Sequence, residues 1–337
     1  MAANIGEMFY TGKVPWHGLG TRLDRPAALD EALKAGGLDW KVGHVDLQTT
    51  DDPPSPVSTR RAIVRLDRLA GDPGRVLGVA HRGFVPVQNR DGARLFDAIF
   101  GHGQQVYHTG GYLGRGQVVW LLAEIPNHER EIGAEDVVAP YALFANSHDG
   151  SMAFHIRLTT VRVVCQNTLS LAIREMQFGK QFRRSHSGSL YEHAQAAQHF
   201  FAATLKEFDR VTGEFQSLAT TKCDVAIFNE ILTSLFPDPT RPRNADKNPG
   251  LRSAWEKKLE DVRAARQSIT DLRQNGKGAD LIKMGDSYWG VLNAITEFID
   301  HHKTVKGDSR LSYALLGDGM DLKARAYKLI HDKAAAV

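Results

Sequence analysis

The pattern of hydrophobic and polar positions changes character near residue 185. Before that point, short apolar stretches alternate with glycine and proline, a pattern typical of strands joined by turns. After it, apolar side chains recur every three or four positions, as on amphipathic helices. The small, polar and basic segment 183–189 separates the two patterns and is predicted to be a linker. We therefore predict two domains, residues 1–184 and 185–337.

Hairpins dominate the first of these domains. The turn at 146–150 collects Asn, Asp and Gly, the residues that best adopt left-handed backbone conformations. Strands are predicted at 40–47, 61–66, 105–112, 117–125, 137–145 and 151–158. Short helices are predicted at 26–35, 89–100 and 165–174. The predicted class is α+β, a mostly antiparallel sheet with short helices, followed by an all-α helical domain.

The second domain is predicted to contain five helices. Between the second and third helices, residues 237–250 hold four prolines and no apolar repeat, so we predict an exposed loop there. The helices are expected at about 190–215, 225–235, 255–272, 288–299 and 322–335.

Composition narrows the class of protein. The chain has 337 residues, of which 42% are hydrophobic and 24% charged, which excludes a disordered or fibrous protein. No apolar run reaches the ~18 residues that cross a bilayer, and the first 30 residues lack a secretory signal, so no membrane association is expected. The two cysteines, Cys165 and Cys223, form no CxxC motif. A reducing, cytoplasmic location is predicted.

Catalytic signatures are missing from the sequence. There is no P-loop, no strand–GxGxxG–helix unit, no GxSxG and no HExxH, so no cofactor is predicted and an enzyme is the less favoured class. His148, Asp149 and His155 are the strongest candidates for a metal or acid–base group, because a turn brings them near one another. Their spacing is irregular, however, and we predict no metal site.

Basic residues concentrate in one segment. Residues 151–184 hold six basic side chains and one acidic one, an excess that suits a polyanionic partner. Arginine forks, amides and hydroxyls are the groups that bind a phosphodiester backbone. The predicted nucleic-acid-binding residues, here called the basic strip, are Arg157, Arg162, Asn167, Ser170 and Arg174, widened by Arg61 and Arg65. The alternative is that these groups satisfy one another and cap the sheet.

Stacking side chains would complete such a surface. The predicted strip needs exposed aromatic rings on which unpaired bases can stack. The candidates on neighbouring strands are Tyr107, Tyr112 and Trp120.

Four blocks of the sequence resemble the phage/plasmid-like proteins of domain-of-unknown-function family 932. They run in order as Pro15–Thr21 (PWHGLGT), Phe84–Asn89 (FVPVQN), Ser147–Ser151 (SHDGS) and Arg162–Leu169 (RVVCQNTL). The resemblance implies a phage, prophage or plasmid carrier, and hence a bacterial cytoplasm. The hairpin sheet, short helix and basic strip are also similar in outline to the core of the RecT and Red-beta single-strand annealing recombinases.

These observations favour a single-stranded-DNA-binding protein that works as a homo-oligomer and anneals DNA without ATP. Two alternatives remain open. One is an interaction protein that uses its helices to bind a host or phage protein. The other is a metal-dependent enzyme that acts on nucleic acid or nucleotides.

Overall fold

A computed structural model describes residues 5–12, 19–100, 106–133, 136–162, 167–169, 194–304, 313–314 and 317–336. The described chain combines two β-sheets in its first half with helices in its second, so the α+β class is confirmed at that level. The proposed linker and the domain boundary at residue 184 lie outside the described residues, and the division into two domains stays a prediction.

The larger sheet has eight strands and is mostly antiparallel. The strands are β1 Ile5–Thr11, β2 Thr21–Leu23, β6 Tyr107–Leu113, β7 Val118–Glu124, β8 Arg130–Ile132, β9 Asp136–Ser147, β10 His155–Arg162 and β11 Asn167–Leu169. Their order is β11-β10-β9-β7-β6-β1-β2, with β8 paired to β9 and a parallel pairing between β1 and β2. Both predicted hairpins are present, as β6–β7 and β9–β10.

A smaller antiparallel sheet of three strands packs against this one. It consists of β3 Val42–Gln48, β4 Pro56–Arg65 and β5 Val76–His81, in that order. Gly78 of β5 lies so close to the β9–β10 turn that an added Cβ atom would come within 2.7 Å of the Asp149 Cα atom. A glycine is therefore needed for the two sheets to approach at this point.

The helices follow the predicted periodicity closely. The two in the first half are α1 Leu29–Ala35 and α2 Asn89–Phe100. The second half contains α3 Ala194–Thr220, α4 Val225–Leu235, α5 Pro249–Asn275, α6 Tyr288–Glu297 and α7 Asp318–Ala334. A π-helical turn, Phe298–His302, continues α6, and a 3-10 helix spans Leu281–Asp286. No helix among the described residues is long and apolar enough to cross a membrane.

One hydrophobic core joins side chains of both halves of the chain. It includes Phe144 and Ile156 from the large sheet together with Phe215 and Trp289 from the helices. The buried Trp289 Nε1 donates a hydrogen bond of 2.7 Å to Asp136 Oδ2 at the start of β9. The helices therefore pack against the sheet, so a site on the sheet is affected by helices that are distant in sequence.

Candidate nucleic-acid interface

Arg157, the first residue of the predicted strip, is partly covered by the helical half of the chain. Its Nη2 atom lies 3.1 Å from His155 Nδ1 on the same strand, and Nη1 lies 3.1 Å from Met320 Sδ in α7. Met320 is 163 positions away in the sequence. The guanidinium is thus engaged in contacts within the protein. The predicted strip requires it to be free to bind phosphate, and it is not.

The second part of the strip is not helical where the structure describes it. Residues 167–169 form the short strand β11, whose Asn167 is the register partner of Arg162 on β10. This corrects the predicted helix at residues 167–169, which pair with β10 as a strand. The rest of the predicted helix at 165–174 lies outside the described residues. Arg162 lies at the end of β10, five positions after Arg157. Ser170 and Arg174 lie outside the described residues.

Arg65 is a buried structural residue, which corrects its predicted role on the surface. Its side chain is 5% exposed, and its fork donates to both Asp67 carboxylate oxygens, at 3.0 and 2.8 Å. The guanidinium lies 4.2 Å from the Trp40 ring centre and donates to the Arg115 carbonyl. The hydrogen bond from Arg65 lowers the pKa of the Asp67 carboxyl. A phosphate would have to displace all of these contacts.

The remaining members of the predicted surface are also engaged. Arg61 Nε donates to Asp46 Oδ1 at 2.8 Å, although the Arg61 side chain keeps some exposure. Tyr107, Tyr112 and Trp120 are 1%, 5% and 0% exposed. They fill the core on either side of the large sheet, so the expectation that they stack on bases is wrong.

The three candidate metal ligands are held in separate interactions. His148 is buried, with Nε2 at 2.8 Å from Asn89 Oδ1 and its ring against Trp40. Asp149 accepts a hydrogen bond from the Ser151 amide within its own turn, and His155 lies beside Arg157. Over the residues that the structure covers, no group of three or more His, Cys, Asp and Glu side chains is arranged to hold a metal ion.

A different basic surface lies at the start of helix α5. The helix has 27 residues, about 40 Å, but its first buried side chain is Ile269. The first twenty residues, about 30 Å of helix, contain no fully buried side chain. We call the loop before the helix together with its first turns, residues 239–258, the basic tip. It carries two acidic residues, Asp246 and Glu256, and six basic ones, Arg241, Arg243, Lys247, Arg252, Lys257 and Lys258.

The loop of the basic tip is ordered by specific contacts. Trp255 Nε1 donates to the Pro239 carbonyl at 2.9 Å, and Arg241 lies over the Trp255 ring while pairing with Asp246. Ala245, in the middle of the loop, is buried, with 1% exposure, and so holds the loop against the protein. Asn248 then caps α5 by accepting hydrogen bonds from the Gly250 and Leu251 amides. The predicted exposed loop at 237–250 is therefore exposed yet has a defined backbone.

Four cations of the tip have no carboxylate within salt-bridge distance in the described part of the chain. Arg243, Lys247, Lys257 and Lys258 are all exposed. The other two basic residues are paired, Arg241 with Asp246 and Arg252 with Glu256. The charge excess of this segment is visible in the sequence, but the prolines of residues 237–250 favoured the prediction of a loop and not of a binding surface.

Two of the four sequence blocks, Phe84–Asn89 and Ser147–Ser151, form a network of hydrogen bonds between the two sheets, here called the polar brace. The Gln88 side chain accepts from the Val42 amide and donates to the Val42 carbonyl, both at 2.9 Å. Asn89 donates to the Leu38 carbonyl and contacts His148 of the third block. These residues therefore hold β3 and the β9–β10 turn in place, which gives them a structural role.

The sequence matches the family described as Domain of unknown function (DUF932) over residues 76–319. The chain belongs to this family. The match includes the blocks at 84–89, 147–151 and 162–169, and it extends through the helices, where the sequence offered no recognised motif. Comparison with curated proteins and with solved structures finds no match.

The large sheet also carries a polar cluster that the sequence did not reveal, and three of its four residues, His108, Glu124 and Tyr141, lie within the DUF932 match. His108 is the extra residue of a bulge in β6, where Tyr107 and Thr109 pair with consecutive residues of β7. Its Nε2 atom lies 2.7 Å from Glu124 Oε2, which also accepts from the Tyr141 hydroxyl, and Nδ1 lies 3.2 Å from Thr11 Oγ1. The hydrogen bond from His108 lowers the pKa of the Glu124 carboxyl. Strand pairing, not sequence spacing, brings these four residues together.

Proposed function

We propose that this DUF932 protein binds single-stranded nucleic acid through the basic tip. The observation that carries the proposal is a group of four exposed cations on a projecting helix and its ordered loop, none with a carboxylate partner among the described residues. They are Arg243, Lys247, Lys257 and Lys258. Phosphate oxygens are the partners that such lysines and arginines accept in a sequence-independent interface.

The surroundings of the tip support a polyanion over a neutral partner. The tip has a local excess of basic residues, whereas the whole chain has a net charge of only +3. The fixed loop backbone also reduces the conformational entropy that binding would otherwise remove. Annealing of complementary strands, DNA recombination and action in a bacterial cytoplasm are finer parts of the same proposal.

The test compares two sets of substitutions that remove equal charge. In the tip variant, Arg243, Lys247, Lys257 and Lys258 become alanine. In the control variant, the same change is made at Arg22, Arg60, Arg75 and Arg94, which likewise have no carboxylate partner among the described residues. Fluorescence anisotropy with labelled single- and double-stranded oligonucleotides is measured across a salt series.

The tip variant is expected to lose most of its affinity, and the control variant to keep nearly all of it. The slope of log affinity against log salt should become shallower by about 0.7 for each phosphate contact removed. A third variant, Arg157→Met, should bind like the unsubstituted protein because Arg157 contacts the protein itself. Equal losses in the tip and control variants would reduce the effect to net charge and refute the assignment.

Other outcomes separate the proposal from its alternatives. Stronger binding to duplex than to single strands would keep the tip as an interface and refute the single-strand preference. No binding of any oligonucleotide at low salt would refute nucleic-acid recognition. In that case a protein partner bound by the projecting helix α5 becomes the leading hypothesis.

A further inference from the structure

Strand β3 has an open outer edge. It pairs with β4 on one side only, among the residues that the structure describes. The Leu66 amide donates to the carbonyl of Lys41, the residue just before β3, so Lys41 directs its backbone groups toward β4. This direction alternates along an antiparallel strand, so the odd-numbered residues of β3 also direct their backbone groups toward β4. The even-numbered residues Val42, His44 and Asp46 therefore direct theirs outward.

The brace from Gln88 occupies the outward groups of one of these residues. Its side-chain amide pairs with both the amide and the carbonyl of Val42, in the manner of a neighbouring strand. His44 and Asp46 are exposed, and their outward backbone groups have no backbone hydrogen bond to any other described residue, so they can pair with an added strand. Such an edge forms backbone hydrogen bonds with any compatible extended segment.

The sequence of the edge is complementary to itself in one register. In a two-fold antiparallel pairing, outward-directed residues must face one another. Centring the pair on Asp46 would place two carboxylates opposite, and centring it on His44 would require the Val42 groups that Gln88 already occupies. Centring it on Val45 places His44 opposite Asp46 twice and uses no group of Val42 for these two pairs. Each of these pairs exchanges two backbone hydrogen bonds. The pairing ends before Val42, which would face Gln48 of the second copy, because Gln88 already holds the outward groups of Val42.

The exposed face of the small sheet favours the same register. Val45 is 41% exposed, and Ala62 and Val79 are its neighbours across β4 and β5. A pairing centred on Val45 would place the two Val45 side chains side by side and join the two apolar rows into one. His44 and Asp46 lie on the other face of the sheet. There Asp46 contacts Arg61 and Arg82, and His44 Nε2 faces the Phe84 carbonyl. Pairing His44 with Asp46 of the second copy therefore brings no like charges opposite each other.

We propose that a second copy of this chain pairs with β3 in antiparallel fashion about Val45, forming a six-stranded sheet across a two-fold axis. The edge is short, so the dimer is weak and its population depends on protein concentration. This inference does not depend on the basic tip, which lies on helix α5.

Sedimentation velocity of the full chain at about 1 to 100 µM tests the association itself. The unsubstituted protein is expected to shift from monomer to dimer over this range. Val45→Lys places two ammonium groups at the axis and should weaken association about tenfold or more. The matched control is Val79→Lys on the same face, where the exposed fraction is 45% and the dimer should persist. A monomer at every concentration, or a dimer unaffected by Val45→Lys, would overturn the proposal.

Cysteine cross-linking tests the register. Facing residues of this kind have Cα atoms about 4.5 Å apart, within the range that a disulfide spans. Val45→Cys should therefore form a covalent dimer with diamide as oxidant. Val79→Cys and the unsubstituted protein, which retains the two native cysteines, should not. Cross-linking of the Val79→Cys variant but not of the Val45→Cys variant would refute the assigned register.

Discussion

Arginine and lysine occupy two opposite environments in this molecule. In the body of the protein, Arg65 is nearly buried between Trp40 and Tyr112, and Arg157 reaches from the sheet to Met320 of the last helix. At the basic tip, Lys257 and Lys258 project from a helix that has no buried side chain over its first twenty residues. The difference shows that local charge density identifies cations but not their accessibility. A cation inside the fold must be paired and hydrogen-bonded, whereas a cation on an exposed helix is solvated and can form an ion pair with a binding partner.

The largest effect on stability is expected where a cation is fully enclosed. Lys323 is 0% exposed, and its Nζ atom lies 2.7 Å from Asp300 Oδ1 in the π-helical turn. Asp300→Ala removes the carboxylate of this buried ion pair and should lower the free energy of unfolding by about 3–5 kcal/mol.

The exposed pair of Lys333 with Glu230 is the control for this substitution. Glu230→Ala should cost far less than Asp300→Ala, because solvent screens an exposed pair. Both variants are measured by urea denaturation. Similar losses in the two would contradict the distinction between enclosed and exposed cations.

A smaller loss is expected at Arg65. Arg65→Met removes the fork to Asp67, the hydrogen bond to the Arg115 carbonyl and the contact with Trp40, and should cost about 2–3 kcal/mol. Arg60→Met changes an exposed residue of the same strand and should stay within about 0.5 kcal/mol. Equal destabilisation by the two would show that the Arg65 contacts contribute little.

The same pair of residues gives a pH test. Because Arg65 lowers the pKa of Asp67 in the folded protein, the pair stabilises the fold above the unfolded carboxyl pKa of about 3.9. That stabilisation is lost as the pH falls through the folded pKa. Urea denaturation between about pH 2 and pH 6 should therefore show a shallower acid dependence in Arg65→Met than in the unsubstituted protein.

The smallest effect on stability is expected at the basic tip. Lys257→Ala with Lys258→Ala removes two exposed side chains at positions where alanine favours helix, so the free energy of unfolding should change by less than about 0.5 kcal/mol. A thermal melt of this variant beside Arg65→Met gives the comparison. A large loss would mean that the tip is part of the folded core, and it would weaken the case that its cations are available to phosphate.

Local sequence patterns were sufficient for most of the secondary structure. The hairpins β6–β7 and β9–β10 and helix α2 at Asn89–Phe100 follow from turn residues and apolar spacing. The exceptions are strands β1, β2, β5 and β8, which were not predicted, and residues 167–169, where an apolar and polar repeat suggested a helix. Pairing with β10 makes this segment a strand, because ladder hydrogen bonds with a neighbouring strand override a weak local preference.

The sequence by itself determined the α+β class, the extents of most helices and, through its ordered blocks, membership of the DUF932 family. Only the tertiary structure decided which charged residues are accessible. Arg157 meets Met320 across 163 positions of chain, and a bulge brings His108 to Glu124. Burial depends on which distant elements pack together, and neither residue spacing nor charge counts along the chain contain that information.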